Sequence, residues 1–172
     1  MKNYLLIYIL FISLIFNAGY TLNGGVSYTV NSARQISFAN VAIHINIKEY
    51  KNYLSDKNHI KNKKILNKNK TKYKNRYLTS FSDGSYAVTY KNNIKISYYY
   101  NPNGKLELID FNIGKDYPSK RIGYDIKGEL NSITLDVSKE EQFVFNKNKK
   151  LIAHWIGNNC YNEQGELIMT RE

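Results

Sequence analysis

Apolar and polar residues alternate in short runs over the second half of the chain. Tyr98 and Tyr100 are followed by Leu106 and Leu108, and similar pairs recur to the C-terminal residues. A period of two places one set of side chains on each face of a strand. The stretch FSDGSYAVTYKNNIKISYYY predicts a hairpin between Ala87–Tyr90 and Ile94–Tyr100, with Asn92-Asn93 at its turn. Nearer the N terminus, Val26, Tyr28 and Val30 alternate after a Gly-Gly turn, and Ser32 predicts the cap of a short helix, SARQISF. Val41, Ile43, Ile45 and Ile47 alternate again, which predicts a strand with His44 and Asn46 on its polar face; IKEYKNYL predicts a further short helix.

Four segments share one form: an aromatic, Asn or Asp, two variable residues, a turn-closing position, a charged residue and Leu. They are Tyr100–Leu106, Tyr124–Leu130, Phe145–Leu151 and Tyr161–Leu167. Asn or Asp opens a type I turn by accepting backbone N–H groups ahead of it, and Gly then takes the left-handed conformation that closes a three-residue loop with a bulge. This geometry sets Tyr100 opposite Leu106, with the same face continuing through Tyr98 and Leu108. The third copy has Lys149 at the glycine position; either Lys149 is left-handed or Asn148 takes that conformation in a shorter turn. One hairpin is not stable alone, whereas several side by side bury a shared face. The expected fold is mainly β with a small α+β N-terminal part, its body an antiparallel β-meander of repeated hairpins. The divisions are 1–19, 20–80 and 81–172.

The forms RIGYDIKGELNSI and YNPNGKLELID resemble the tyrosine–aspartate (YD) repeats of bacterial surface and toxin-delivery proteins of the rearrangement-hotspot type. The resemblance covers only about Tyr98 to Met169. It implies hairpins joined into a strip and a surface setting, and it brings no catalytic residue. Four irregular copies are too few to enclose a toxin.

The opening residues alter the expected location. After Met1 and Lys2 the chain is apolar from Tyr4 to Phe16 apart from Ser13. As a helix this run spans about 20 Å, short of the roughly 30 Å hydrocarbon core. With Ala18 and Gly19 beyond it, it reads as a secretory signal over residues 1–19, or as an uncleaved membrane anchor. An exported protein, secreted, periplasmic or on the cell surface, is the expectation.

Composition adds a basic middle. The 172-residue chain has a formal net charge of +11. Between Lys48 and Tyr77, eleven Lys and Arg face only Glu49 and Asp56. Lys61, Lys63, Lys64, Lys68, Lys70, Lys72, Lys74 and Arg76 are the candidate binding residues for anionic envelope polymers or lipid headgroups. A nucleic-acid partner is not expected without a recognisable binding fold.

Candidate chemistry is sparse. The single cysteine, Cys160, allows no intrachain disulfide. His154 and Cys160 are placed on neighbouring strands, which makes a thiol–imidazole pair the one catalytic candidate, although the expected role of Trp155 and Cys160 is burial as packing. His44, His59 and His154 lack metal-ligand spacing with Cys160, and no cofactor is implied. Carboxylates are sparse in this half, and the adjacent Glu140 and Glu141, on opposite sides of a strand or in a loop, do not suit paired acid–base work. The sequence reading is thus a non-enzymatic envelope or secreted binding module. A small thiol enzyme or toxin using Cys160 and His154 is the alternative, and a purely structural repeat protein a third reading.

Overall fold

The computed structural model describes residues 20–21, 27–57 and 75–172. The expected signal segment, and Lys61, Lys63, Lys64, Lys68, Lys70, Lys72 and Lys74 of the basic run, lie outside them. A two-stranded pair, β1 (Tyr20–Thr21) and β2 (Ser27–Tyr28), precedes helix α1 (Val30–Ser37) and a 3-10 helix (Ile47–Tyr53). Ten strands follow: β3 (Arg76–Ser80), β4 (Tyr86–Tyr90), β5 (Asn93–Tyr100), β6 (Leu106–Ile113) and β7 (Ser119–Asp125), then β8 (Leu130–Asp136), β9 (Glu141–Asn146), β10 (Leu151–Ile156), β11 (Asn159–Tyr161) and β12 (Leu167–Thr170). They form one antiparallel meander in chain order, so the mainly β expectation holds. The sheet curls into a half-barrel. Its two edges touch at a seam, where Phe81 bridges Arg171, the Ser82 N–H donates to the Thr170 carbonyl, and the Glu172 N–H donates to that of Ser80 (each 3.0 Å).

The four repeated turns have one geometry. Asn101 Oδ1 accepts from the N–H groups of Asn103 (2.9 Å) and Lys105 (3.2 Å), and Asp125, Asn146 and Asn162 do the same in their copies. Tyr100 pairs with Leu106, Tyr124 with Leu130, Phe145 with Leu151 and Tyr161 with Leu167. In the third copy Lys149 itself is left-handed (φ 64°) and Asn148 is not. Leu108 departs from the expected ladder. A register shift in the β5–β6 pair sets it opposite Tyr99, so it faces the inside of the half-barrel while Leu106 faces out.

The outer face carries three of the four apolar clusters, and the N-terminal segment covers it in order. Ala33 of α1, with Val30 and Phe38, packs on Leu135, Phe143 and Phe145. Val41 and Ile45 pack on Ile122, Tyr124 and Ile133. Ile47, Tyr50 and Tyr53 then cover Tyr86, Tyr98 and Tyr100, with the Tyr53 ring stacked 4.2 Å from that of Tyr98. Helix α1 starts at Val30, one turn earlier than expected, because Thr29 rather than Ser32 caps it: Thr29 Oγ1 accepts from the Ser32 N–H (3.2 Å).

The stretch from Val41 to Asn46 is not a sheet strand, and Ile47 already begins the 3-10 helix. The stretch is an extended strap that meets the β7–β8 turn at the single bridge His44–Glu129. The Ile45 N–H donates to the Gly128 carbonyl (2.8 Å) and the Leu130 N–H to the Ile43 carbonyl (2.9 Å). Eleven residues on, the same pair recurs: the Asp56 N–H donates to the Gly104 carbonyl (2.9 Å) and the Leu106 N–H to the Leu54 carbonyl (3.0 Å). Each bulged turn leaves a carbonyl and an N–H facing outward, and the strap satisfies both in the first two copies.

Candidate functional site

Alternation that points aromatics outward points a different set inward. The inner face carries the hydroxyls of Thr79, Thr89, Ser97, Ser132 and Thr134, and it encloses a half-open cavity of about 370 Å³. Phe81, Tyr99 and Trp155 supply aromatic wall, and Asp110, Arg121, Gln142 and Arg171 supply charge and amide.

Arg121 on β7 is the centre of this floor. Its Nε and Nη2 donate to Asp136 on β8 (3.0 and 2.8 Å), and its Nη1 donates to the Tyr99 hydroxyl on β5 (3.1 Å). Asp110 on β6 lies 3.7 Å from Nη1. Gly123 makes room for the cluster, since a Cβ there would stand 2.5 Å from Ser132 Oγ and 2.7 Å from Asp110 Oδ1. Burial pushes the Asp110 carboxyl up from its ordinary range, with Arg121 pulling it back. Burial, reinforced by Asp110, pushes the Tyr99 phenol up to about 12. Arg171, beside the seam, lies over the Trp155 ring at 4.0 Å. Its guanidinium donates to Gln142 Oε1 and, at 3.4 Å, to the Gly157 carbonyl.

The residues singled out from the sequence fall elsewhere. Cys160 pairs in register with Trp155, and His154 with Tyr161. Cys160 therefore packs inward with Phe81, Ala87 and Trp155, whereas His154 is on the outer face, stacked on Phe143 and 3.0 Å from Glu141 Oε1. The sheet separates the two, and no thiol–imidazole pair forms. Burial also pushes the Cys160 thiol up to about 11, so it is protonated at neutral pH. Arg76 is likewise not an exposed member of a basic surface. It is buried on β3, with Nη1 bonded to both carboxylate oxygens of Asp56 (3.0 and 3.1 Å), and the Tyr86 hydroxyl donates to the same carboxylate. A guanidinium at the edge of a lysine-rich run looks solvated in sequence; Asp56, twenty residues earlier, draws it inside.

The sequence alone does not bring the inner cluster together, because Tyr99, Asp110, Arg121 and Asp136 come from four strands. A local signal exists: Asp110 and Asp136 each interrupt an apolar strand, in ELIDFNI and SITLDV. Among the described residues no group of three or more His, Cys, Asp and Glu could hold a metal ion, and no helix is long and apolar enough to cross a membrane. Comparison with family models, with curated proteins and with solved structures finds no match.

Proposed function

We propose that this protein is a non-enzymatic binding module, acting in the cell envelope or after secretion, with the inner cavity as its recognition site. One observation carries the reading: a charged network is kept inside a sheet that could have been filled with apolar side chains. Burying Arg121, Asp110 and Asp136 costs several kcal/mol per ion before pairing, and well-packed apolar replacements are often as stable or more so. A fold that retains such groups around a half-open space of ligand size has a use for them. The apolar leader supports the exported setting, and the lysine-rich segment supports contact with anionic envelope surfaces.

Trp155 is the single tryptophan and forms part of the cavity wall, so its emission reports directly on occupancy. Titration of the purified protein with a panel of small polar solutes should give saturable changes in Trp155 emission together with a rise in Tm. A panel that leaves both unchanged would remove the cavity as a recognition site.

A further inference from the structure

Building on the binding reading above, we infer that the cavity takes a small hydroxylated carboxylate of the sugar-acid class, its carboxylate seated on Arg171 and its hydroxyls on the inner-face Ser and Thr side chains. The two arginines of the cavity are in unlike positions. Arg121 has its donors directed to Asp136 and Tyr99, with Asp110 close by. Arg171 has no carboxylate partner among the described residues. Its acceptors are the neutral Gln142 amide and the Gly157 carbonyl, and one face of the guanidinium lies on Trp155. A partly buried guanidinium held only by neutral acceptors gains a charge-assisted, bidentate bond when a planar carboxylate arrives.

The hydroxyl row identifies the rest of the ligand. Thr89 and Ser97 satisfy one another at 2.6 Å. The hydroxyls of Thr79, Ser132 and Thr134, which also line the space, make no hydrogen bond to another described residue, and they can donate or accept. They match a ligand carrying several hydroxyls better than a simple fatty or amino acid. A compact dianion such as phosphate fits less well, because Asp110 and Asp136 would repel its second charge. The cavity lies at the small end of the roughly 300–1,000 Å³ usual for ligand sites, which suits one or two sugar rings.

The test uses the full chain, with Trp155 emission and titration calorimetry against glucuronate, glucose, inorganic phosphate and a disaccharide ending in glucuronate. Glucuronate should saturate the site and bind about tenfold or more tightly than glucose. Arg171→Gln should erase that preference, and Arg171→Lys should keep part of it. Thermal unfolding reports whether each variant folds; if Arg171→Gln does not, the glucuronate-to-glucose ratio and Arg171→Lys decide. Tighter binding of the disaccharide points to a polymer end, and tighter binding of the monosaccharide to a free solute; both support the inference. Equal binding of glucose and glucuronate, a preference for phosphate, or an unchanged Arg171→Gln overturns the ligand class while the binding module stands. Silence towards every probe overturns both.

Discussion

His154 shows how a polar side chain can be informative without being catalytic. Its imidazole stacks on Phe143 with centroids 4.5 Å apart and shares a hydrogen bond with Glu141. Burial lowers its pKa from the ordinary 6.5, although Glu141 pulls the other way. The folded state therefore prefers the neutral ring. That contribution is complete above pH 6.5 and is lost as pH falls from there through the depressed folded value. Thermal unfolding between pH 7 and 5 should show a falling Tm, and His154→Gln, which cannot titrate but can still donate to Glu141, should flatten the fall. An identical slope in the variant would assign the acid sensitivity to other groups. At this scale the sequence could suggest that His154 and Cys160 lie on adjacent strands. It could not show that adjacent register places them on opposite faces, because that depends on whether Trp155 or His154 stands opposite the thiol.

Hairpin elements were the most legible part of the chain. The Asn or Asp that opens each turn acts on N–H groups two and four residues ahead, so the code is local and survives in all four copies, even with lysine at the left-handed position. The strap was illegible for the opposite reason. Alternation in VAIHINIK is shared by a sheet strand and by any extended segment laid on an apolar face, and its true partner is more than eighty residues away. The strap also makes equivalent glycines unequal. Gly128 and Gly165 have nearly the same left-handed φ, 84° and 81°. A Cβ at Gly128 would collide with the Ile45 carbonyl, whereas at Gly165 nothing lies within 4 Å. Gly165→Ala should cost about 1–2 kcal/mol from backbone conformation alone, and Gly128→Ala clearly more. Urea unfolding with an unchanged m-value measures the difference; equal losses would mean that the strap yields freely.

Across the whole molecule, the sheet presents two chemistries back to back. The outer face is apolar and is sealed by the chain's own N-terminal part. The inner face combines hydroxyls and charges with the apolar cluster of Phe81, Ala87, Trp155 and Cys160, and it remains half open. Alternation guarantees that such a division exists, but not which face is covered. That follows from the direction of curl and from the register shift that turns Leu108 inward beside Tyr99. The Asp110–Arg121–Asp136 floor follows from the register of β6, β7 and β8, which makes both aspartates diagonal neighbours of Arg121 on one face.

Asp56 closes the strap and Arg76 opens the sheet, and their buried ion pair joins the two ends of the basic segment. With the stacked Tyr53–Tyr98 rings and the two backbone pairs at the hairpin turns, it gives the strap a non-covalent hold on the sheet. Peptide continuity across 58–74 should then be dispensable to assembly. Two polypeptides divided within that stretch should recover the fold when co-expressed and should purify together, and Asp56→Ala in the shorter one should weaken the association. Fragments that never copurify would show that tethering, rather than docking, holds the strap in place. If they do assemble, the protein is in effect a heterodimer encoded as one chain, and its lysine-rich joint can be lengthened, trimmed or replaced independently of the cavity.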